Sequence, residues 1–164
     1  MNNLNKVIIP TDFSVKSLNF VIEFLKNNSS NQYDIVLLHG YDIPQTISDL
    51  LFFSKTKLLN KLQSKEFTDA LHVIENHFES SIKTITIDFI TSEQKQYIKN
   101  YLEVQNLAQI VTIENYAMSF KDKNSFDVNK LLKNNIVSDY KIMHQEDNYV
   151  MNNTELISDV FVIN

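Results

Sequence analysis

The sequence reads as an open, doubly wound α/β domain, and three observations predict it. Apolar runs rich in β-branched residues recur along the chain: Val7 to Ile9, Ile35 to Leu38, Ile85 to Ile90, Ile110 to Ile113 and Val160 to Ile163. Continuous runs of this kind suit parallel strands covered on both faces. Between them lie segments with helical spacing, and strands that alternate with helices build right-handed crossovers around a parallel sheet. Finally, 164 residues suit a single domain, here 1–164, long enough to bury roughly 70% of the surface that the unfolded chain exposes.

The first strand ends in "KVIIPTDFS", residues 6 to 14, where Pro10 is followed by Thr11, Asp12 and Ser14. Polar residues at a strand end either wait for a ligand or cap the next helix. That helix carries Leu18, Val21, Ile22 and Leu25 at i, i+3, i+4, i+7 spacing and stops at "NNSSNQ". After the second strand, Leu59, Leu62, Leu71, Ile74 and Phe78 share one helical face, which predicts one long helix from Leu58 through Phe78. "SEQKQYIKNYLEVQN" predicts a helix capped by Ser92, with Tyr97, Ile98, Tyr101 and Leu102 toward the core. Ser125 is placed to cap a short helix with Val128, Leu131 and Leu132. "DYKIMHQ" and "DVFVIN" then both look like strands, and only one need be the fifth of the core.

Composition narrows the function. Fifteen basic against twenty acidic residues give a net charge of −5, and every basic residue is lysine. Without arginine forks, and with a field that repels polyanions, the sequence points to no nucleic-acid partner. No apolar run approaches the roughly 20 residues of a membrane span, so no membrane partner is expected. The N-terminal "MNNLNKVII" lacks the long apolar region of a secretory signal, and the expected location is cytoplasmic. The absence of cysteine excludes disulfides, thiolate metal sites and a cysteine nucleophile.

"KVIIPTDFSVKSLNFVIEFL" followed by "YDIVLLHGYDIP" resembles the first half of a universal stress protein domain of the UspA type. There too a first strand ends in a segment with Asp, an amphipathic helix follows, and a second strand ends in a His-containing segment like Leu38-His39. The resemblance covers residues 5 to 44 specifically and continues more weakly through "LAQIVTIEN" as fourth strand. It implies a Rossmann-like, five-stranded parallel sheet in the order 3-2-1-4-5, with a ligand crevice between strands one and four and Asp12 on its rim.

Members that bind ATP share a Gly-x-x-Gly, nine-residue, Gly-Ser or Gly-Thr motif after strand four, in which glycine lets backbone amides approach phosphate. This chain reads "IENYAMSFKDKNS" there. Glu114 and Ala117 fall at the first two glycine positions and Asn124-Ser125 at the last pair, with six residues rather than nine between Ala117 and Asn124. Ser125 is the one match. A carboxylate at position 114 repels a phosphate charge at 4 Å by about 1 kcal/mol in water and about 4 at an effective dielectric of 20. Lys121 and Lys123 lie in the loop and read as solvated lysines.

The ligand-binding candidates are therefore Asp12, Gly40, Glu114, Ala117 and Ser125, the remnants of a crevice. For Asp12 the residues alone favour a capping role over a ligand contact. Gly40, the sole glycine, reads as a turn requirement after strand two. His72 and His77 lie five apart on a helix, off the spacing of paired metal ligands, so no metal is expected. His39 and His144 read as satisfied or solvent-facing. No nucleophile elbow or carboxylate pair is present, so catalytic residues are not assigned and the chain is read as a non-enzyme without cofactor. Leu50 to Phe53 is equally consistent with core burial and with a contact surface.

The reading is a universal-stress-protein-like domain that has lost ATP binding and acts as a dimeric binding or regulatory module in stress response. A homodimer is expected, with an unknown protein or small molecule as a further partner. The alternative keeps ATP or another adenine nucleotide through a remodelled phosphate loop.

Overall fold

A computed structural model describes residues 5–43, 46–105, 109–136 and 139–144. Its centre is the strand β1 (Lys6–Pro10), flanked on one side by β2 (Tyr33–Tyr41) and β3 (Ile82–Ile90), and on the other by β4 (Gln109–Glu114) and β6 (Tyr140–Met143). All four pairings along this path are parallel. The order 3-2-1-4 followed by the last strand is the one anticipated. "DYKIMHQ" provides the fifth strand of the path as β6, and "DVFVIN" lies outside the described residues. A two-residue strand, β5 (Ser125–Phe126), pairs antiparallel with the end of β2.

Helices cover both faces, as the continuous apolar strands require. On one face, α1 (Leu18–Asn27), α3 (Lys55–Leu62) and α4 (Lys65–His77) contribute Phe20, Phe24, Leu58, Phe67 and Ile74 to a core with Val7, Ile9, Ile35 and Leu37. On the other, α5 (Lys95–Val104) and α6 (Val128–Asn135) contribute Ile98, Leu102, Val128 and Leu132 against Ile8, Val36, Leu38 and Ile110. The alternation of Val7 and Ile9 with Ile8 between the two cores is the two-residue period of a strand seen from both sides.

Local chemistry corrects several helix boundaries. The single helix expected over Leu58–Phe78 is two, because Ser64 turns out of the helix and its Oγ accepts from the Phe67 amide at 3.1 Å, starting α4 anew. Ser92 accepts from the Gln94 amide at 3.2 Å but does not cap; α5 starts later, at Lys95, without a side-chain cap. It buries Ile98 and Leu102 but leaves Tyr97 40% exposed. Ser125 belongs to β5, and Asp127 caps α6 by accepting from the Lys130 amide at 2.8 Å. Helix α2 (Ile47–Phe52) and the residue after it present Ile47, Leu50, Leu51, Phe52 and Phe53 at 40–79% exposure, so core burial does not apply to Leu50–Phe53.

The β1–β4 ladder is short, running from Val7 opposite Gln109 to Ile8 opposite Ile110. Beyond it, the backbone of Ile113 is paired by a side chain: its N–H donates to Asn129 Oδ1 and its carbonyl accepts from Asn129 Nδ2, both at 2.8 Å. Asn129 is buried and stands in for a strand neighbour at the point where the sheet order reverses. Asn129→Leu keeps the branched shape of the side chain and leaves the buried Ile113 N–H and carbonyl unpaired, each costing roughly 1–3 kcal/mol. Urea unfolding is expected to show a loss of about 2–6 kcal/mol.

Candidate functional site

The turn after β1 places polar groups at the carboxyl edge of the sheet. Ser14 is extended and its Oγ accepts from the Ser17 amide at 3.1 Å, so it caps a 3-10 turn over Val15–Ser17 that leads into α1. Phe13 sits at φ 61°, in the left-handed region, a conformation that costs a non-glycine residue about 1–3 kcal/mol and persists only where its surroundings hold it. They do: Phe13 is buried, with its ring centroid 4.6 Å from that of His39 and 5.4 Å from that of Phe67.

Asp12, 6% exposed, is held by donors from both sides of the switch point. The Ser14 amide and hydroxyl donate to Oδ1 at 3.0 and 2.5 Å. From the segment after β4, the Tyr116 hydroxyl and the Ser119 amide donate to Oδ2 at 2.6 and 3.0 Å. Burial and the neighbouring Asp12 charge both raise the Tyr116 phenol, which stays a donor. Asp12 does more than assist a helix terminus: it ties the end of β1 to the loop that follows β4.

That loop, 115–124, starts at Asn115 with φ 58°, a conformation that asparagine tolerates. It then runs back over the edge of the sheet toward β2. Phe120 stacks edge-on to His39 at 5.8 Å. The Asp122 carboxylate meets Lys61 of α3 at 2.6 Å and accepts from the Asn124 amide, and the lysine bond holds its carboxyl below the usual range. The Asp42 amide donates to the Asn124 carbonyl at 2.8 Å. Gly40 corrects the turn assignment, since it lies within β2 opposite Phe126, and a Cβ there would meet the Phe126 ring at 2.5 Å and its carbonyl oxygen at 2.6 Å. Glycine is needed for close approach of β5.

The outcome is a cavity of about 80 Å³ lined by Asp12, Ser14, His39, Phe120, Lys121 and Ser125, among others. Of the five sequence candidates, Asp12 and Ser125 share it, and Gly40 supports its wall through β5. Glu114 is directed elsewhere, bonded to Lys133 of α6 at 2.9 Å, which keeps its carboxyl below the usual range. Ala117 is exposed on the loop.

Sequence reasoning did not single out His39 as part of the site. It is 1% exposed, with Nδ1 2.8 Å from the Thr11 carbonyl and Nε2 2.9 Å from Ser125 Oγ. A carbonyl oxygen only accepts, so Nδ1 carries the hydrogen and the neutral ring accepts the Ser125 hydroxyl at Nε2. Its position at the end of β2 was the one available signal. His144, also buried, packs edge-on against Phe20 and Tyr116, while His72 is exposed and 3.2 Å from Glu75. Among the described residues no cluster of three potential metal ligands occurs, and no helix is long and apolar enough to cross a membrane.

No protein-family model matches this sequence, and no curated protein matches it. Solved structures do. The hypothetical protein MJ0577 superposes with a TM-score of 0.53 at 16% identity, over 87% of this chain and 98% of that one. Universal stress protein UspA from Lactobacillus plantarum superposes with a TM-score of 0.52 at 15% identity, over 88% of this chain and 100% of that one. The chain has the universal stress protein fold. Within that fold, the carboxyl-edge crevice is bridged by the 115–124 loop, through its contacts with Asp12 and His39 and through Asn124 Nδ2, which donates to the Tyr41 hydroxyl at 3.4 Å.

Burial lowers the His39 pKa from 6.5, against the opposing pull of its Thr11 bond and of Asp12 and Asp122. The unfolded chain therefore takes up this proton at a higher pH than the folded one. The sign follows: stability falls as pH drops below about 6.5 and continues falling until the folded-state pKa is reached. Denaturation midpoints measured from about pH 7.5 down to about pH 5.5 are expected to decline in the native protein and to decline less in His39→Gln.

Proposed function

We propose that this chain is a universal-stress-protein-like module that works without ATP, as a dimeric binding or regulatory unit in stress response. One observation carries the first part: the crevice is occupied by the chain itself. Asp12 accepts four hydrogen bonds from within the chain, and Phe120 and Ser125 lie against His39. About 80 Å³ remains, well below the roughly 300–1,000 Å³ of small-molecule pockets. The loop has no glycine through which backbone amides could close on phosphate. The contact role is supported by the apolar side chains of Ile47, Leu51 and Phe52, which are 75–79% exposed.

Millimolar MgATP is expected to leave the melting temperature unchanged; a ligand at one hundred times its dissociation constant would add about 2.7 kcal/mol. A clear shift that Asp12→Ala abolishes would instead establish an adenine-nucleotide protein with a remodelled phosphate loop, for which Lys121 at the cavity offers a cation.

Dimerisation is supported by the sheet edge. Among the described residues β6 pairs with β4 alone, and Met143 on it is 54% exposed. A strand edge has unpaired amides and carbonyls that a second copy satisfies by antiparallel pairing across a two-fold axis. Light scattering over a micromolar concentration series is expected to give twice the chain mass of 19.1 kDa. Met143→Lys, a charge on the edge, is expected to shift the population toward monomer.

A further inference from the structure

We propose that Ser125 and His39 form a nucleophile–base pair that cleaves small, uncharged acyl esters in the cavity at the sheet edge. The pair meets the geometric requirements of an activated serine. Ser125 Oγ lies 2.9 Å from His39 Nε2, and the second ring nitrogen is anchored 2.8 Å from the Thr11 carbonyl. That carbonyl sets the tautomer, leaving the Nε2 lone pair directed at the serine hydroxyl, as general-base catalysis needs. The backbone carbonyl takes the orienting position that a carboxylate holds in a Ser-His-Asp triad.

The surroundings define the substrate. Ser125 is half-buried at a cavity of about 80 Å³, room for an acetyl- or propionyl-sized group. Lys121 lines the same cavity and supplies positive charge for a tetrahedral oxyanion. Asp12 in the wall disfavours anionic esters. In the first step Ser125 Oγ bonds to the carbonyl carbon and its proton passes to His39 Nε2. The carbon–alkoxide bond then breaks and the alkoxide leaves with that proton. Water, deprotonated by the same nitrogen, cleaves the acyl-serine to release the acid and restore the hydroxyl.

His39 faces Asp12 from the end of β1, and Asp122 and Lys121 from the loop, with Asp122 itself paired to Lys61 of α3. Burial outweighs the two carboxylates and keeps the ring neutral at pH 7. Activity is therefore expected to be level above about pH 6.5 and to fall only in more acidic solution.

The test incubates the full chain with p-nitrophenyl acetate and, separately, with a fluorophosphonate probe followed by peptide mapping. The proposal expects the probe on Ser125, and acetate-ester turnover that drops about a hundredfold or more in both Ser125→Ala and His39→Gln. Melting curves accompany each variant. If His39→Gln unfolds, Ser125→Ala decides, since its backbone pairing with Tyr41 is independent of the hydroxyl. An unlabelled Ser125, or equal turnover by the native protein and a folded Ser125→Ala, would overturn the proposal and leave the hydroxyl as a structural partner of His39.

Discussion

A buried carboxylate at the end of β1 organises the carboxyl edge of this molecule. Taken out of water, Asp12 requires donors, because an unpaired charge in such a place costs several kcal/mol. It finds them in its own turn, through Ser14, and across the reversal of strand order, through Tyr116 and Ser119. Those last two bonds position the loop after β4. With the loop held there, Phe120 reaches His39 and Asp122 reaches Lys61. The chain then enters β5 alongside β2.

His39 is the second centre of the arrangement. Its ring packs against Phe13, Phe89 and Phe120, while its two nitrogens retain hydrogen-bond partners. Burying an imidazole in this way is tolerable only when both nitrogens are satisfied. The left-handed Phe13 belongs to the same group: its strained backbone puts a large ring over His39 and Phe67. The packing of that ring holds the strained backbone in place.

The open doubly wound sheet creates a crevice between β1 and β4 whatever the loops do, since strand order reverses there. This chain bridges it from within. Phe126 approaches β2 so closely that only glycine fits opposite, which accounts for the single glycine in 164 residues falling at position 40. The same closeness brings Ser125 to His39. A loop that fills a crevice and a loop that brings a hydroxyl to an imidazole are here one structure.

The strands and the amphipathic faces of the crossovers were legible because periodicity is a local record of which side chains face a core, whereas the sheet order was implied by the resemblance to universal stress proteins. Val7, Ile8 and Ile9 announce a strand buried on both sides before any neighbour is known. Helix ends were less legible: Ser64, Ser92 and Ser125 are alike as residues, yet one starts a helix, one precedes a helix without capping it, and one sits in a strand. Which role a serine takes depends on the backbone around it. Glu114 shows the same limit, since its place after β4 could be aligned but its capture by Lys133 could not. By itself the sequence determined an α/β sheet with Asp12 at a strand end, in a form that resembles universal stress proteins. Tertiary structure alone decided that His39 joins Asp12 and Ser125 in one cavity, and that Glu114 and Ala117 do not. The bonds that assemble this cavity span 86 residues from His39 to Ser125 and 107 from Asp12 to Ser119, and hydrogen-bond geometry over such separations leaves no period in the chain.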